Sequence, residues 1–222
     1  HLQACTQRIR LLASLSLGGF TKWRWARSTL RFPISVFTSC EIKMNKQDLQ
    51  HRPRYIAFVA ASVDGRISLS SKHPPDWTSK EDWKLFQKSL SRIDAIVVGR
   101  NTYESVAERL RKRNTFVLSS RPKTLTRRGT VTFVNPTKVN LPKLLERYKS
   151  VAVVGGGAVY RFMLESKLLD EIFVTVEPLI FGRGKEMFVG STRTTHVHLL
   201  SVKRLNRTGT LLLHYQINHQ QP

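Results

Sequence analysis

The sequence contains only two cysteines, Cys5 and Cys40, among its 222 residues. Both precede the part of the chain that has the alternating pattern of a folded domain. That part therefore has neither a disulfide nor a thiolate zinc site, and we expect no metal centre and a reducing, cytoplasmic setting. Runs of about 20 apolar residues are also missing, which argues against a spanning helix and predicts a soluble protein.

Acidic residues are scarce as well. Fifteen Asp and Glu stand against 37 Lys and Arg, which gives a formal net charge of +22 and a pI near 10.9. A charge of this size attracts nucleic acid, anionic lipid or phosphorylated small molecules. The basic residues are spread along the whole chain, and no helix-turn-helix, zinc-finger or RNA-recognition signature accompanies them. The charge indicates an anionic ligand without naming it.

Residues 1–50 differ in composition from the rest of the chain. Seven Lys or Arg residues precede Met44, together with a single acidic residue, Glu41. A basic leader of this kind is typical of a transit peptide or a weak secretory signal. We favour a third interpretation, a disordered extension ahead of a native start at Met44. The apolar fraction of 41% suffices for a core, so we predict one folded domain over residues 53–218.

Strand and helix patterns alternate along this domain. A capping-box pattern, in which Thr78 and Ser79 precede Glu81 and Asp82, opens the first helix, which is predicted to end near Leu90. Further helices are predicted over residues 102–110, 141–148 and 159–165. Strands are predicted over residues 55–61, 95–98, 115–118, 131–134, 151–154, 172–176, 197–205 and 210–216. This order indicates an α/β fold with a mostly parallel central sheet, helices on both faces and a C-terminal antiparallel hairpin.

A run of three glycines lies between a predicted strand and a predicted helix, in residues 151–160, which read VAVVGGGAVY. Glycine lets the backbone approach a ligand closely, and the helix N-terminus adds unpaired N–H donors. The run predicts an anion or nucleotide site, with a ligand-free tight turn as the alternative. Because it does not match G-x-G-x-x-G, an ordinary Rossmann site is not indicated.

Three other segments follow predicted strands, where open α/β sheets bind ligands. Residues 60–67 contain an Asp-Gly turn, and residues 98–102 place an arginine at a second helix start. Ser119, Ser120 and Arg121 combine two hydroxyls with a guanidinium, which suits a phosphomonoester such as the 2′-phosphate of NADPH. Each segment alone is more often a turn. Together with the glycine run, they predict a nucleotide site along one sheet edge.

Six motifs in a fixed order resemble the dihydrofolate reductase-like superfamily and cover nearly all of residues 54–216: ASVDGRI, DWTSKEDWKLF, VVGRNTY, VLSSRP, VVGGGAVY and LLDEIFVTVEPLIFGRG. The run GRNTYES is similar to dihydrofolate reductase itself. The later run GGGAVYRFMLESKLLDEIFVTVEPLIFGRG is more similar to the reductase (C-terminal) domain of the bacterial bifunctional riboflavin-synthesis deaminase-reductase. The resemblance implies a three-layer sandwich that binds NADPH across the sheet edge, and a homodimer.

The resemblance also implies which residues bind the cofactor. The residues that would hold the adenosine side and the 2′-phosphate are Gly99, Arg100, Asn101, Thr102, Ser119, Ser120 and Arg121. Those that would cradle the pyrophosphate or pack near the cofactor are Gly155, Gly156, Gly157, Ala158, Val159 and Tyr160. Those that would line the nicotinamide, or lie in the loop closing over it, are Ala60, Ala61, Asp64, Gly65 and Ile67.

Asp82 is the candidate catalytic acid, with Asp64 as a second catalytic candidate. In dihydrofolate reductases a carboxylate four residues before a Phe faces the pterin ring, and Asp82 and Phe86 keep this spacing on one helical face. A buried carboxylate with a raised pKa can anchor an amidine-like ring edge and help to protonate a C=N bond. The alternative is that Asp82 serves only helix capping through Ser79.

The resulting hypothesis is hydride transfer from NADPH to a C=N bond of a pyrimidine or pteridine. The first candidate is 5-amino-6-(5-phosphoribosylamino)uracil reductase and the second is dihydrofolate reductase. The Asp-Asp-Pro and Thr-Val-Arg phosphate-binding run common in the riboflavin group is missing, since residues 104–113 read ESVAERLRKR. An H-x-E…P-C-x-x-C deaminase segment is missing too. A basic nucleic-acid-binding protein with a non-catalytic reductase fold is a remote alternative; otherwise we expect neither nucleic acid nor membrane as a partner.

Overall fold

The computed structural model describes residues 52–70, 73, 76–190 and 194–219. The extension predicted over residues 1–50 lies outside the described residues. In the described part of the chain, no helix combines the length and the apolar character needed to cross a bilayer.

The described residues form eleven strands and four helices. The strands are β1 Arg54–Ser62, β2 Arg66–Ser68, β3 Ala95–Gly99, β4 Thr115–Leu118, β5 Leu125–Arg128, β6 Val131–Val134, β7 Ser150–Val153, β8 Leu169–Glu177, β9 Lys185–Glu186, β10 Val197–Arg204 and β11 Leu211–Ile217. The helices are α1 Lys80–Leu90, α2 Arg100–Leu110, α3 Leu141–Leu145 and α4 Gly157–Glu165.

Nine of these strands form one sheet in the order β10-β11-β8-β1-β7-β3-β4-β6-β5. The six strands from β8 to β6 in this order run parallel to their neighbours. The hairpin of β10 and β11 pairs antiparallel with β8 at one edge, and β5 pairs antiparallel with β6 at the other. The predicted fold class, a mostly parallel sheet with a C-terminal antiparallel hairpin, is confirmed. A separate two-stranded sheet joins β2 to β9.

Helices cover both faces of this sheet, because alternate residues of each central strand point to opposite sides. On one face, Val97 and Val153 belong to a buried cluster that includes residues of α3 and α4. On the other face, Ile96 and Val98 belong to a second cluster with Leu90 at the end of α1 and Leu110 at the end of α2. The central strands are therefore apolar on both sides, which is typical of parallel sheets.

The predicted elements match the observed ones closely, with four kinds of difference. Strand β8 begins at Leu169, three residues before its predicted start at residue 172. The strands over residues 115–118 and 131–134 have the predicted bounds. Helix α3 ends at Leu145, so the prediction to residue 148 was wrong; the Tyr148 amide donates to the Leu145 carbonyl in a tight turn (3.0 Å). Helices α2 and α4 begin two residues earlier than predicted, at Arg100 and Gly157. The short strands β2, β5 and β9 were not predicted; all four residues of β5 are exposed, so it carries no apolar pattern.

The order of the strands places three loops together. Strands β1, β7 and β3 are neighbours and parallel, so their carboxyl ends lie side by side. From these ends the chain continues into β2, into α4 and into α2. The two helix N-termini therefore start from the same edge of the sheet.

Candidate active site

A cavity of about 780 Å³ opens at this edge of the sheet. Residues of the glycine turn and of α4, including Gly155 and Tyr160, form one side of it. Residues of α1 and α2, including Asp82 and Arg109, form the other. The cavity is large enough for an extended ligand, since small-molecule sites commonly measure about 300–1,000 Å³.

Two glycine-capped helix starts meet at the cavity. Helix α2 is capped by Gly99 and α4 by Gly156, and neither cap supplies a side-chain hydrogen bond. The Gly99 amide donates to the Gly155 carbonyl oxygen at 2.6 Å, which ties the two turns together. A Cβ atom on Gly156 would lie 3.2 Å from the Thr102 hydroxyl oxygen in the first turn of α2. Both sets of free N–H groups, and the positive ends of both helix dipoles, are thus placed to bind one anionic group.

The glycine turn is also crowded from the other side. A Cβ atom on Gly157 would lie 2.5 Å from the Glu186 carbonyl oxygen and 2.7 Å from Val189 Cγ2. Gly155 has a φ of +102°, which L side chains rarely adopt. The peptide between Gly155 and Gly156 is cis. Positions 155 and 157 therefore require glycine, for conformation at the first and for space at the second.

Most of the predicted site residues lie together in this cavity. Those that line it are Ala60, Ile67, Asp82, Phe86, Gly99, Arg100, Asn101, Thr102, Gly155, Gly156, Gly157, Ala158, Val159 and Tyr160. Those outside its lining are Ala61, Asp64, Gly65, Ser119, Ser120 and Arg121. Ala61 is 2% exposed and belongs to the core.

Asp64 lies in the turn after β1 and binds a neighbouring loop. Its carboxylate accepts hydrogen bonds from the Ser62 hydroxyl (2.6 Å), the Phe181 amide (3.1 Å) and the Gly182 amide (2.8 Å). The Ser62 bond above all, together with the two amide bonds, holds the pKa of Asp64 below its usual range. Asp64 therefore stays ionised at neutral pH, which suits it to fixing the loop and not to donating a proton.

Ser119, Ser120 and Arg121 form the turn after β4. The Arg121 amide donates to the Ser119 hydroxyl oxygen at 3.2 Å. The Asn135 side-chain amide donates to the carbonyl oxygens of Ser120 and Pro122, at 3.4 and 3.0 Å. The turn is thus built by local bonds, and only its neighbours Leu118 and Pro136 reach the cavity.

The backbone of Asp82 takes part in the helix cap, and its carboxylate makes separate hydrogen bonds in the cavity. Its backbone amide donates to the Ser79 hydroxyl oxygen at 3.3 Å, which is the predicted N-cap. Its carboxylate lines the cavity and accepts hydrogen bonds from Thr175 on β8 and from Thr78. Burial raises the pKa of Asp82, the two hydroxyl bonds oppose the rise, and the charge of Glu177 adds to it. The group is therefore suited to hold a proton in the cavity at a pH where an exposed aspartate would not.

Aromatic side chains surround the space in front of Asp82. The Phe86 ring lies 6.1 Å from the Phe58 ring and 5.9 Å from the Trp83 ring, centre to centre. Phe173 stacks on Phe58 at 5.3 Å. All four rings line the cavity. Apolar walls beside one carboxyl group match a flat heterocycle with a polar edge.

Two more arginines reach the cavity, Arg109 near the end of α2 and Arg113 three residues beyond the helix. The Arg109 guanidinium lies 4.5 Å above the Trp83 ring, and Arg113 donates to the Leu90 carbonyl oxygen at 2.8 Å. Sequence reasoning missed Arg109, Arg113, Trp83, Phe58 and Thr175. Trp83 and Thr175 lie within recognised motifs, and Arg109 and Arg113 lie in the run of residues 104–113, but nothing in the sequence placed Thr175 opposite Asp82. Among the described residues, no group of three or more His, Cys, Asp or Glu could hold a metal ion.

A family model described as the RibD C-terminal domain matches residues 53–211. The chain belongs to this family. The members of this family are oxidoreductases, so membership indicates an oxidoreductase. The chain is 24% identical over 170 residues to the uncharacterized protein YwjB of Bacillus subtilis, covering 72% of this chain and 95% of YwjB.

Two solved structures show the fold of this RibD C-terminal domain. A pyrimidine reductase-like protein of Corynebacterium diphtheriae matches with a TM-score of 0.61 and 17% identity, over 80% of this chain and 96% of that one. A dihydrofolate reductase of Enterococcus faecalis, complexed with NADP(H), matches with a TM-score of 0.52 and 23% identity, over 74% and 96%. The expected dihydrofolate reductase-like fold is confirmed by both.

Proposed function

We propose that this chain is an NADPH-dependent reductase that transfers a hydride to a C=N bond of a pyrimidine or pteridine. One observation carries the proposal. The two glycine-capped helix starts and the Asp82 carboxyl group, with its aromatic walls, line a single cavity. An anionic cofactor bound at the helix starts and a heterocycle bound beside Asp82 would therefore meet in that cavity.

The glycine turn and the start of α2 fit the diphosphate of a dinucleotide. Gly155, Gly156 and Gly157 line the cavity, and glycine lets a ligand approach the backbone closely. Gly156, Gly157 and Thr102 would hold the diphosphate, and Arg100 would add a positive charge. NADPH supplies the hydride when bound, and the protein orients both reactants and excludes water.

Asp82 would supply the proton. Its raised pKa keeps the carboxyl group protonated at higher pH than an exposed aspartate, and the Thr175 and Thr78 hydroxyls fix its orientation. The proton would pass from the Asp82 carboxyl oxygen to the nitrogen of the C=N bond, while the carbon of that bond receives the hydride. The resulting carboxylate would regain a proton from solvent.

The pyrimidine of riboflavin synthesis is our first candidate substrate. Membership of the RibD C-terminal domain family and the pyrimidine reductase-like relative support it. Arg109 and Arg113 at the α1–α2 side of the cavity could bind the phosphate of a phosphoribosylamino substituent. The two arginines would take the place of the Thr-Val-Arg run that this chain lacks.

Dihydrofolate is the second candidate. The Asp82 and Phe86 pair lies on the cavity face of α1, as in the resemblance to dihydrofolate reductase. The same arginines could bind the carboxylates of its glutamate tail. We further propose a cytoplasmic homodimer that binds neither membranes nor nucleic acid; sedimentation of the purified protein tests the dimer.

The test is NADPH oxidation by the purified protein with the phosphoribosylamino-pyrimidine and with dihydrofolate, side by side. Faster oxidation with one heterocycle than with buffer supports the proposal and names the substrate. Oxidation with neither would contradict it. Enhancement of nicotinamide fluorescence on titration with NADPH separates the reductase from the remote nucleic-acid-binding alternative, which predicts no binding at micromolar cofactor.

A further inference from the structure

A second carboxylate lies close to the candidate acid and has no role in the reaction proposed above. Glu177 ends β8 and is only 3% exposed. One of its carboxylate oxygens accepts a hydrogen bond of 2.7 Å from the Ser79 backbone amide, and the other accepts one of 2.7 Å from the Thr210 hydroxyl. A carboxylate buried to this degree with two neutral donors is costly to maintain, so its position calls for an explanation.

The first of these bonds connects Glu177 to the backbone around Asp82. Ser79 is the N-cap of α1, and its hydroxyl oxygen accepts the hydrogen bond of the Asp82 amide. Fixing the Ser79 amide therefore fixes the first turn of α1, from which the Asp82 carboxylate projects. Thr175, which bonds that carboxylate, lies two residues before Glu177 and so on the same face of β8.

The second bond connects Glu177 to the end of the sheet. Thr210 is fully buried, and its hydroxyl also accepts a hydrogen bond from the Asn206 side-chain amide at 2.9 Å. The Asn206 side-chain oxygen in turn accepts hydrogen bonds from the backbone amides of Gly209 and Thr210, and these bonds shape the turn between β10 and β11. Glu177 thus joins the hairpin turn to the start of α1.

We propose that Glu177 is a positioning residue of the reductase site, which holds the start of α1 through the Ser79 amide and places a second negative charge beside the Asp82 carboxylate. This inference rests on the proposed function only in so far as Asp82 is the proton donor. The position of the two carboxylates does not depend on which heterocycle is reduced.

The charge of Glu177 is not neutralised by a cation. No ion pair among the described residues includes it. Two like charges in a partly buried site favour protonation of one of them. The charge of Glu177 therefore adds to the rise in the pKa of Asp82 that burial causes.

Other charged groups face the same cavity and must be considered with Glu177. They are His73, Arg100, Arg109, Arg113 and Lys185. The causes of the shift in the pKa of Asp82 are burial, the Thr175 and Thr78 hydroxyl bonds and the charge of Glu177, and none of these five groups is among them. The effect of Glu177 must be measured by changing that residue alone.

The test is Glu177→Gln in the full chain, with Glu171→Gln as the matched control. Glutamine keeps an acceptor oxygen for the Ser79 amide and removes the charge, and its NH2 group would then donate to the Thr210 hydroxyl in place of the carboxylate oxygen that accepts from it. Glu171 lies at the other end of β8, where it pairs with Arg54 and His214, outside the cavity lining. The measurement is the titration of the Asp82 carboxyl carbon by NMR, assigned by comparison with Asp82→Asn, together with the pH profile of kcat.

We expect Glu177→Gln to lower the pKa of Asp82 and to move the high-pH limb of the kcat profile to lower pH, while Glu171→Gln changes neither. An unchanged Asp82 titration in Glu177→Gln would overturn the proposal. The NMR titration needs no turnover. If no heterocycle is reduced, the proposed function fails, and the carboxyl titration still decides the role of Glu177.

A purely structural role for Glu177 would give a different result. Thr210→Val removes the bond to the hairpin and keeps the charge, so it should lower the thermal midpoint while Asp82 still titrates above its usual range. If Glu177→Gln does not fold, this variant still decides the issue. A return of the pKa of Asp82 to its ordinary value in Thr210→Val would show that packing, and not the charge, sets it.

Discussion

The Tyr160 hydroxyl donates a hydrogen bond of 2.6 Å to the backbone carbonyl oxygen of Phe58. The bond joins the first turn of α4 to the centre of β1. Burial raises the pKa of Tyr160, so its hydroxyl remains a donor throughout the neutral and mildly alkaline range. The Gly155 backbone packs against this same hydroxyl, since a Cβ atom there would lie 3.2 Å from it. The glycine turn is therefore held against the sheet by Tyr160.

Tyr160→Phe should destabilise the protein by about 1–3 kcal/mol, because the Phe58 carbonyl oxygen is left without its buried donor. Urea unfolding monitored by tryptophan fluorescence measures the change. Tyr148→Phe is the control, since the Tyr148 hydroxyl accepts an exposed hydrogen bond from the Arg147 guanidinium and its loss should change stability little. Equal decreases in the free energy of unfolding of the two variants would show that the bond to Phe58 stabilises the protein no more than the exposed bond of Tyr148 does.

Gly157→Ala should abolish NADPH binding or weaken it severely. The new methyl group would overlap the Glu186 carbonyl oxygen, so either the turn or the segment around β9 must move. Gly129→Ala is the control for backbone strain away from the cavity: Gly129 has a positive φ of 62°, which Gly157 does not, and nothing lies within 4 Å of its Cβ position, so this variant should lose stability and keep its affinity for NADPH. Titration by nicotinamide fluorescence compares the two. Normal affinity in Gly157→Ala would remove the turn from the cofactor site.

Asp82→Asn should reduce kcat by roughly 10²–10⁴-fold, the usual contribution of a general acid, while NADPH affinity stays unchanged. The asparagine can keep the hydrogen bonds to Thr175 and Thr78 but cannot donate a proton to the ring. Glu81→Gln, at the neighbouring exposed position on α1, should keep its turnover. Steady-state rates with the accepted heterocycle decide this, and full activity in Asp82→Asn would exclude Asp82 from the reaction.

The same substitution should change stability in a pH-dependent way. Because the pKa of Asp82 is raised in the folded state, its favourable contribution is complete below the unfolded-state pKa and is lost as pH rises through the folded-state pKa. Asp82→Asn has no such contribution to lose. The free energy of unfolding of the wild type should therefore fall relative to that of Asp82→Asn as pH rises. Glu81→Gln should show the opposite trend, since hydrogen bonds from its own amide and from Asn206 lower the pKa of Glu81. Parallel curves for Asp82→Asn and wild type would contradict the raised pKa.

Arg109→Met should raise KM for an anionic substrate by roughly tenfold or more, the equivalent of one charge-assisted hydrogen bond. The methionine preserves packing against Trp83, over which the guanidinium lies, so kcat should change less than KM. For a substrate analogue without its phosphate or carboxylate, the wild type and Arg109→Met should have the same KM. If Arg109→Met raises KM by the same factor for the substrate and for the analogue without its anionic group, Arg109 does not bind that group.

Local signals in the sequence were sufficient for most of the fold. Strands β4 and β6 are short, largely β-branched runs between turn residues, and their predicted bounds agree with the structure. The Ser79 cap was readable because a capping box needs only residues adjacent along the chain. Strand β5 was missed because its stability comes from hydrogen bonds to β6 and not from burial.

The sequence predicted only part of the set of residues that line the cavity. Loops at the carboxyl ends of parallel strands were expected to lie together, and the Gly99 and Gly155 turns are hydrogen-bonded to each other. The Thr175 contact to Asp82 depends on how β8 is placed against α1, which is a tertiary relationship with no local sign. Ser119 and Arg121 were expected at the cofactor, yet their turn lies outside the lining. A hydroxyl and a guanidinium at a strand end cannot by themselves show how far the turn reaches.

The central position of β1 has a consequence for how the chain folds during synthesis. Its neighbours in the sheet are β7 and β8, which begin at Ser150 and Leu169. After the ribosome releases β1, this apolar strand must wait for about a hundred further residues before either partner emerges, roughly 5–20 s at common elongation rates. During that interval its edges are open to other nascent chains, so β1 is an aggregation hazard until β7 pairs with it.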